Sequence, residues 1–147
     1  QRLSHEQSSL PAARAMMDAE PPSSKNMGVD DATDRLYRNK QILAPMVRAG
    51  TLPFRALALR YGADTVFTEE VIDRRIVNAV RTENSVLGTV DYIETRGKKS
   101  TAMPFQTCAL ERDRVVYQIG TGDAANALRA AQHVERDVAA VDINMGC

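Results

Sequence analysis

Several features that would fix a class of protein are scarce in this chain. Its 147 residues contain only two cysteines, Cys108 and Cys147, with no second cysteine or histidine at ligand spacing. Neither a disulfide framework nor a zinc site is therefore indicated. No run approaches the roughly 18 consecutive apolar residues of a membrane span, and the N-terminal region lacks the apolar segment of a signal peptide. We expect no metal, no membrane and a cytoplasmic location, with a nuclear or organellar one left open.

Net charge is also absent, because nineteen basic residues balance nineteen acidic ones. Proteins that bind nucleic acid usually present a basic face to the phosphates, so this balance gives no support for such a partner without excluding one. The hydrophobic content of 44% and the length suit one globular domain.

The two ends of the chain predict a piece of a longer polypeptide. The sequence begins at Gln1 rather than at a methionine, and it ends at Cys147 directly after an apolar run. Residues 1–37 are rich in Ser, Pro and acidic residues without steady periodicity, which predicts a flexible extension. Residues 38–147 are predicted to form the folded part.

Short apolar runs alternate with helical patterns after residue 38. Thr51 and Pro53 are predicted to begin a helix that ends near Gly62, and Asp123 is predicted to cap a later one. Predicted strands start at residues 42, 65, 114 and 138. Such alternation favours a parallel sheet with right-handed crossovers, either an open doubly wound sheet or a (β/α)8 barrel.

The middle of the chain has a weaker pattern. Residues 71–80 suggest a helix, and residues 88–93 suggest a partly extended stretch. Residues 105–108 and 114–119 flank a charged turn at 111–113, which predicts a hairpin whose second arm enters the main sheet.

One local motif suggests a nucleotide site. Residues 120–125 match the G-x-G-x-x-[G/A] dinucleotide fingerprint, and Asp142 lies about twenty residues further on, where a ribose-binding carboxylate would stand. Asp123, however, would repel a phosphate unless it faces away as a helix cap, and Gly120 and Gly122 fit an ordinary tight turn equally well. A fragment of an NAD(P)-binding Rossmann-type dehydrogenase is therefore one alternative.

Polar groups follow the predicted strands where the chemistry of α/β folds lies. Asn144 and Cys147 come after the last apolar run, at the carboxyl end of a strand. Glu69 and Glu70 follow the second strand, and strand alternation allows only one of them to face inward. An ion pair with a neighbouring arginine explains these carboxylates at least as well as substrate contact does.

Five segments in register resemble the tRNA-dihydrouridine synthase family, most closely its eukaryotic branch that modifies position 20 of the D-loop. They are Ile42-Leu43-Ala44-Pro45-Met46-Val47, Tyr61-Gly62-Ala63-Asp64, Thr68-Glu69-Glu70, Tyr117-Gln118-Ile119-Gly120 and Asp142-Ile143-Asn144-Met145-Gly146-Cys147. The resemblance implies an α/β fold, the first half of an FMN-binding TIM (β/α)8 barrel that stops after its fourth strand. It also implies reduction of the uridine C5–C6 double bond in tRNA, with NADPH as electron donor.

The resemblance also implies residue roles. The positions that would contact the flavin are Pro45, Met46, Val47, Gln118 and Asn144. Of these, Asn144 would orient either the flavin or the uracil. Cys147 would be the general acid, because a thiol with an ordinary pKa of about 8.5 is mostly protonated at neutral pH. Without the later strands we expect this chain alone to be inactive, and a noncatalytic remnant that binds RNA or a partner is the third alternative.

Overall fold

The computed structural model, which describes residues 29–96 and 100–146, contains both helices and strands. In chain order the elements are helix α1 (Val29–Leu36), strand β1 (Ile42–Leu43), helix α2 (Leu52–Arg60), strands β2 (Thr65–Phe67) and β3 (Val71–Ile72), helix α3 (Asp73–Val77), strands β4 (Val80–Asn84), β5 (Thr89–Arg96), β6 (Ser100–Cys108) and β7 (Val115–Gly120), helix α4 (Ala124–Val134), a 3-10 helix (Glu135–Asp137) and strand β8 (Ala140–Ile143).

A parallel sheet contains β1, β2, β3, β7 and β8. Val116 is paired with Phe67 of β2 and with Ala140 of β8, and Ile119 is paired with Val71 of β3 and again with β8. Strands β2 and β3 therefore lie end to end along one edge of β7, with β1 outside β2. The predicted α/β class with a parallel sheet is confirmed.

The core lies on one face of this sheet. Tyr117 and Ile119 are fully buried in a cluster with Ile76 of α3 and Val134 of α4. Side chains alternate between the two faces of a strand, so Gln118 points to the opposite face. The even-numbered positions of β7 are thereby directed away from α3 and α4.

A second sheet corrects the predicted hairpin. Strands β4, β5 and β6 form an antiparallel sheet, in which Phe105 of β6 is paired with Tyr92 of β5. The prediction that 105–108 pairs with 114–119 is wrong, because parallel strands occupy both edges of β7. The helix suggested over 71–80 is also shorter than expected, since it spans Asp73–Val77 between two strands.

The predicted extension differs from the structure in its last part. Residues 29–36 form α1, in which Leu36 is buried and its carbonyl accepts a hydrogen bond from Thr65 Oγ1 at 2.6 Å. Burial of an apolar side chain and this bond hold the helix against β2. Residues 1–28 lie outside the described ranges, and a domain boundary at 37 stays a prediction.

The helix ends follow the sequence signals in part. Thr51 precedes α2 as predicted, yet its side chain makes no capping hydrogen bond. Gly62 has a φ of 102°, a conformation that favours glycine, and Asp123 Oδ1 accepts from the Asn126 amide at 2.7 Å as the N-cap of α4. Of the helices at 29–96 and 100–146, none has both the length and the apolar content of a membrane span. The cellular location stays a prediction.

Candidate functional site

The predicted site residues gather at one edge of the parallel sheet. Residues 45–47 follow β1, Gln118 lies in the second half of β7, and Asn144 follows β8. The carboxyl ends of parallel strands meet at the same edge, where α/β proteins bind their ligands. Cys147 lies outside the described residues.

The loop after β1 is packed onto the end of β2. The Met46 carbonyl accepts from the amides of Ala49 and Gly50 at 3.2 and 3.0 Å, and Glu69 Oε2 accepts from the Arg48 amide at 2.8 Å. A Cβ on Gly50 would lie 2.5 Å from the Glu69 nitrogen, so only glycine allows this approach. The Glu69 carboxylate thus holds the loop backbone rather than an arginine side chain.

Apolar side chains of this loop remain accessible at the sheet edge. Val47 is 71% exposed and Met46 is 38% exposed, while Pro45 is half-buried. Exposed apolar side chains beside polar groups are typical of a surface that receives a flat apolar ligand.

A buried ion pair fixes the far end of the same loop. The guanidinium of Arg55 donates to both carboxylate oxygens of Glu111, at 2.8 and 2.6 Å, and also to the carbonyls of Gly50 and Gln106. Thr107 Oγ1 donates to the same carboxylate at 2.9 Å. Both charged side chains are almost wholly buried, so this network joins the loop to β6 with well-directed bonds.

Arg55 and Glu111 are not among the residues predicted from the sequence. A signal was present for Arg55, because it lies four residues before the buried Leu59 and therefore on the same face of α2. Glu111 stands in a charged turn that resembled exposed surface, and nothing near it in the chain indicates burial.

A carboxylate and an amide lie side by side on the face of the sheet opposite the core. Gln118 Nε2 donates to Asp142 Oδ2 at 2.7 Å, and these residues are register partners in β7 and β8. The backbone N–H of Gln118 donates to Thr68 Oγ1 at 3.0 Å. Burial, and then the negative charge of Asp142, raise the pKa of Tyr37.

Asn144 is held by the turn that follows β8. Its backbone amide donates to the Ile119 carbonyl at 2.9 Å, and its side-chain Oδ1 accepts from the Gly146 amide at 3.0 Å. The side-chain oxygen is therefore occupied, and the NH2 group is the polar group that Asn144 presents.

Cys108, the second cysteine, lies away from this edge at the end of β6. It is half-buried, and burial raises the pKa of its thiol. A buried thiol of this kind is a small apolar group rather than a reactive one.

The glycine fingerprint is surrounded by carboxylates. The turn at 120–122 borders a cavity of about 450 Å³ that Glu70, Asp73 and Asp123 also line. Asp73 Oδ2 accepts from Thr121 Oγ1 at 2.7 Å, and the Glu70 carboxylate stands where a Cβ on residue 120 would be. Negative side chains disfavour a pyrophosphate here. Asp142, the candidate ribose ligand, bonds Gln118 instead.

The described part of the chain offers no group of three or more His, Cys, Asp or Glu side chains arranged to hold a metal ion.

Comparison with known proteins decides the family. The model of the dihydrouridine synthase (Dus) family matches residues 42–147. The chain belongs to the dihydrouridine synthase family. The resemblance drawn from the five sequence segments is therefore confirmed, and the site edge described above lies within the Dus region.

Individual Dus relatives agree with this assignment. The chain is 44% identical over 117 residues to the tRNA-dihydrouridine(20) synthase (NAD(P)+) of Saccharomyces cerevisiae, covering 76% of this chain and 30% of that protein. It is 40% identical over 111 residues to the enzyme of the same name from Schizosaccharomyces pombe, covering 76% of this chain and 23% of that protein. A tRNA-dihydrouridine(16/17) synthase from the latter organism is 30% identical over 125 residues, covering 85% of this chain and 27% of that protein. The chain thus spans less than a third of the length of each of these relatives.

Proposed function

We propose that this chain carries the first four strand positions of an FMN-binding (β/α)8 barrel that reduces uridine in tRNA to dihydrouridine. The observation that carries the proposal is the Gln118–Asp142 pair with Asn144, at the carboxyl edge of a parallel sheet of a dihydrouridine synthase family member. Ligands of (β/α)8 enzymes bind at this edge.

The shape of the sheet supports a barrel that other strands complete. β1 and β8 each have one edge that no strand covers within the described residues. On the face opposite the core, Ile42 is 41% exposed and Phe67 is half-buried. Uncovered edges and an apolar inner face require further strands, which we assign to the part of the synthase that this chain does not contain.

The residues present fit a flavin. An isoalloxazine ring needs apolar contact on its face and hydrogen-bond partners along its pyrimidine edge, and Met46 and Val47 supply exposed apolar contact. Gln118 and Asn144 offer amide groups on the same sheet edge, and Pro45 lies in the same loop. We therefore propose that Pro45, Met46, Val47, Gln118 and Asn144 hold FMN.

The chemistry then divides between cofactor and protein. When bound, FMN would supply the hydride that C6 of the uracil receives. NADPH would be the reductant of the flavin, in accord with the NAD(P)+ in the relatives' names. Cys147 donates a proton to C5 from the opposite face, which resolves the negative charge left on the pyrimidine. A positioned acid of this kind contributes about 10²–10⁴-fold to a rate.

The substrate we propose is a uridine of the tRNA D-loop, as in the relatives named tRNA-dihydrouridine(20) synthase. A base must leave its stack before it can lie against a flavin, and unpaired loop bases do so at least cost. The balanced charge of this chain is consistent with tRNA affinity that comes largely from elsewhere in the synthase.

The test is dihydrouridine formation by the complete synthase polypeptide that contains this chain. Unmodified tRNA, FMN and NADPH are supplied, and dihydrouridine is measured by mass spectrometry of the nucleosides. We expect Cys147→Ala to lower the rate by about 10²–10⁴-fold, whereas the matched variant Cys108→Ala keeps the parent rate. Equal rates for the parent and Cys147→Ala would refute the role of the thiol, and no dihydrouridine from the parent would refute the function. The 147-residue chain alone is expected to be inactive.

A further inference from the structure

We propose that Asp142 is a positioning residue that fixes which end of the Gln118 amide faces the ligand, so that the side-chain oxygen of Gln118 accepts a hydrogen bond from an imide N–H. This inference rests on the proposed function. The imide edge, an N–H between two carbonyls, is the shared chemistry of the flavin pyrimidine ring and of uracil.

The contact between the two side chains sets the amide orientation. Gln118 Nε2 lies 2.7 Å from Asp142 Oδ2 on a neighbouring strand. A carboxylate can only accept, so the NH2 group must face it. The reverse orientation would bring Oε1 against a negatively charged oxygen. The hydrogen bond to the carboxylate therefore fixes the orientation of the amide, whose N and O atoms are nearly equal in size.

The orientation leaves an acceptor without a partner. Gln118 is 9% exposed, and no group in the ranges 29–96 and 100–146 donates to its Oε1. This oxygen is therefore available to accept a further hydrogen bond. A ligand N–H that reaches the sheet edge would satisfy it.

Asn144 is oriented in the opposite sense. Its Oδ1 already accepts from the Gly146 amide at 3.0 Å, so it presents its NH2 group. The edge thus offers one acceptor, from Gln118, and one donor, from Asn144. An imide requires this combination, because its N–H needs an acceptor and the adjacent carbonyl needs a donor.

The first experiment uses Asp142→Asn in the complete synthase polypeptide. An amide at 142 can donate or accept, so Gln118 loses its preferred orientation. We expect FMN affinity of the apoprotein, followed by flavin fluorescence, to fall about tenfold, the effect of one hydrogen bond of roughly 1.4 kcal/mol. The flavin absorption spectrum should also shift. The control is Asp113→Asn, the same change at an exposed turn position before β7, which should leave both readouts unchanged.

A reciprocal exchange separates positioning from simple support of the fold. In Gln118→Glu/Asp142→Asn the donor and acceptor trade strands, and a carboxylate oxygen still faces the ligand. We expect the double variant to recover FMN affinity to within about threefold of the parent, whereas Gln118→Glu alone sets two carboxylates together and binds worst. This variant also keeps the proposal testable if Asp142→Asn does not fold.

The readouts distinguish the two imide sources. Weaker FMN binding with an unchanged KM for tRNA identifies the flavin edge, and unchanged FMN binding with a raised KM identifies the uracil edge. Parent values for both in Asp142→Asn, or no recovery in the double variant, would overturn the inference alone. A parent protein that binds no FMN and reduces no uridine would overturn the proposed function and the inference with it.

Discussion

Replacing Glu111 with glutamine should destabilise the protein strongly, because it removes the charge that compensates Arg55. The Arg55 side chain is 2% exposed and the Glu111 side chain is 0% exposed. Breaking a buried pair by removing one partner costs about 3–5 kcal/mol. Glutamine keeps one acceptor oxygen, so we expect about 3 kcal/mol, a large part of the roughly 5–15 kcal/mol that stabilises a domain.

The assays are urea unfolding and thermal unfolding, each followed by circular dichroism, with the parent and variant compared at neutral pH. A loss of about 3 kcal/mol would lower Tm by roughly 6–12 °C for a domain of this size. The matched control is Glu83→Gln, because Glu83 pairs with Arg81 at 2.8 Å but is 76% exposed. Exposed pairs contribute less than about 1 kcal/mol. Equal effects of the two substitutions would refute the reasoning.

Three further predictions concern packing and titration. Tyr117→Phe should leave stability unchanged or raise it by up to about 1 kcal/mol, since the buried Tyr117 hydroxyl has no partner in the described ranges. Tyr92→Phe should cost about 1–3 kcal/mol, because it removes a 2.6 Å hydrogen bond to Asp137. Thermal unfolding compares the two variants, and equal losses of stability would contradict the assignment. Gly50→Ala should weaken FMN binding by displacing the loop from Glu69, and unchanged affinity by fluorescence titration would count against that packing. Burial alone would raise the pKa of Asp137, but the hydrogen bonds that it accepts hold it below its usual value. The ionised Asp137 therefore contributes its full stabilisation above about pH 4, and this contribution is lost as the pH falls through the folded-state pKa. Asp137→Asn should make the decrease of Tm with falling pH less steep. An unchanged dependence of Tm on pH would disprove this.

The parallel sheet could be predicted because short apolar runs alternate with helical patterns along the chain. The sequence also predicts the central strand Val115–Gly120, whose six residues are all buried, but gives it the wrong neighbour. The partner of β6 could not be predicted in this way. Phe105 pairs with Tyr92 across a segment whose alternation is weak, and the charged turn beside it suggested the wrong neighbour.

The candidate site residues could be named from the sequence, but their contacts could not. The family resemblance named Gln118 and Asn144, and Asn144 also follows a predicted strand; their role in binding stays a prediction. The bond from Gln118 to Asp142 depends on the register of two strands joined through α4, and the bond from Arg55 to Glu111 joins residues 56 positions apart. Local sequence contains neither register nor such long-range pairing, so these contacts required the structure.

The most direct test of the flavin site is to identify the cofactor that the complete synthase polypeptide carries after purification. Denaturing the protein and measuring the released compounds by fluorescence and mass spectrometry should give FMN, at about one per chain once reconstituted. Release of a tightly bound pyridine nucleotide without flavin, lost when Gly122 is replaced, would contradict the proposed site.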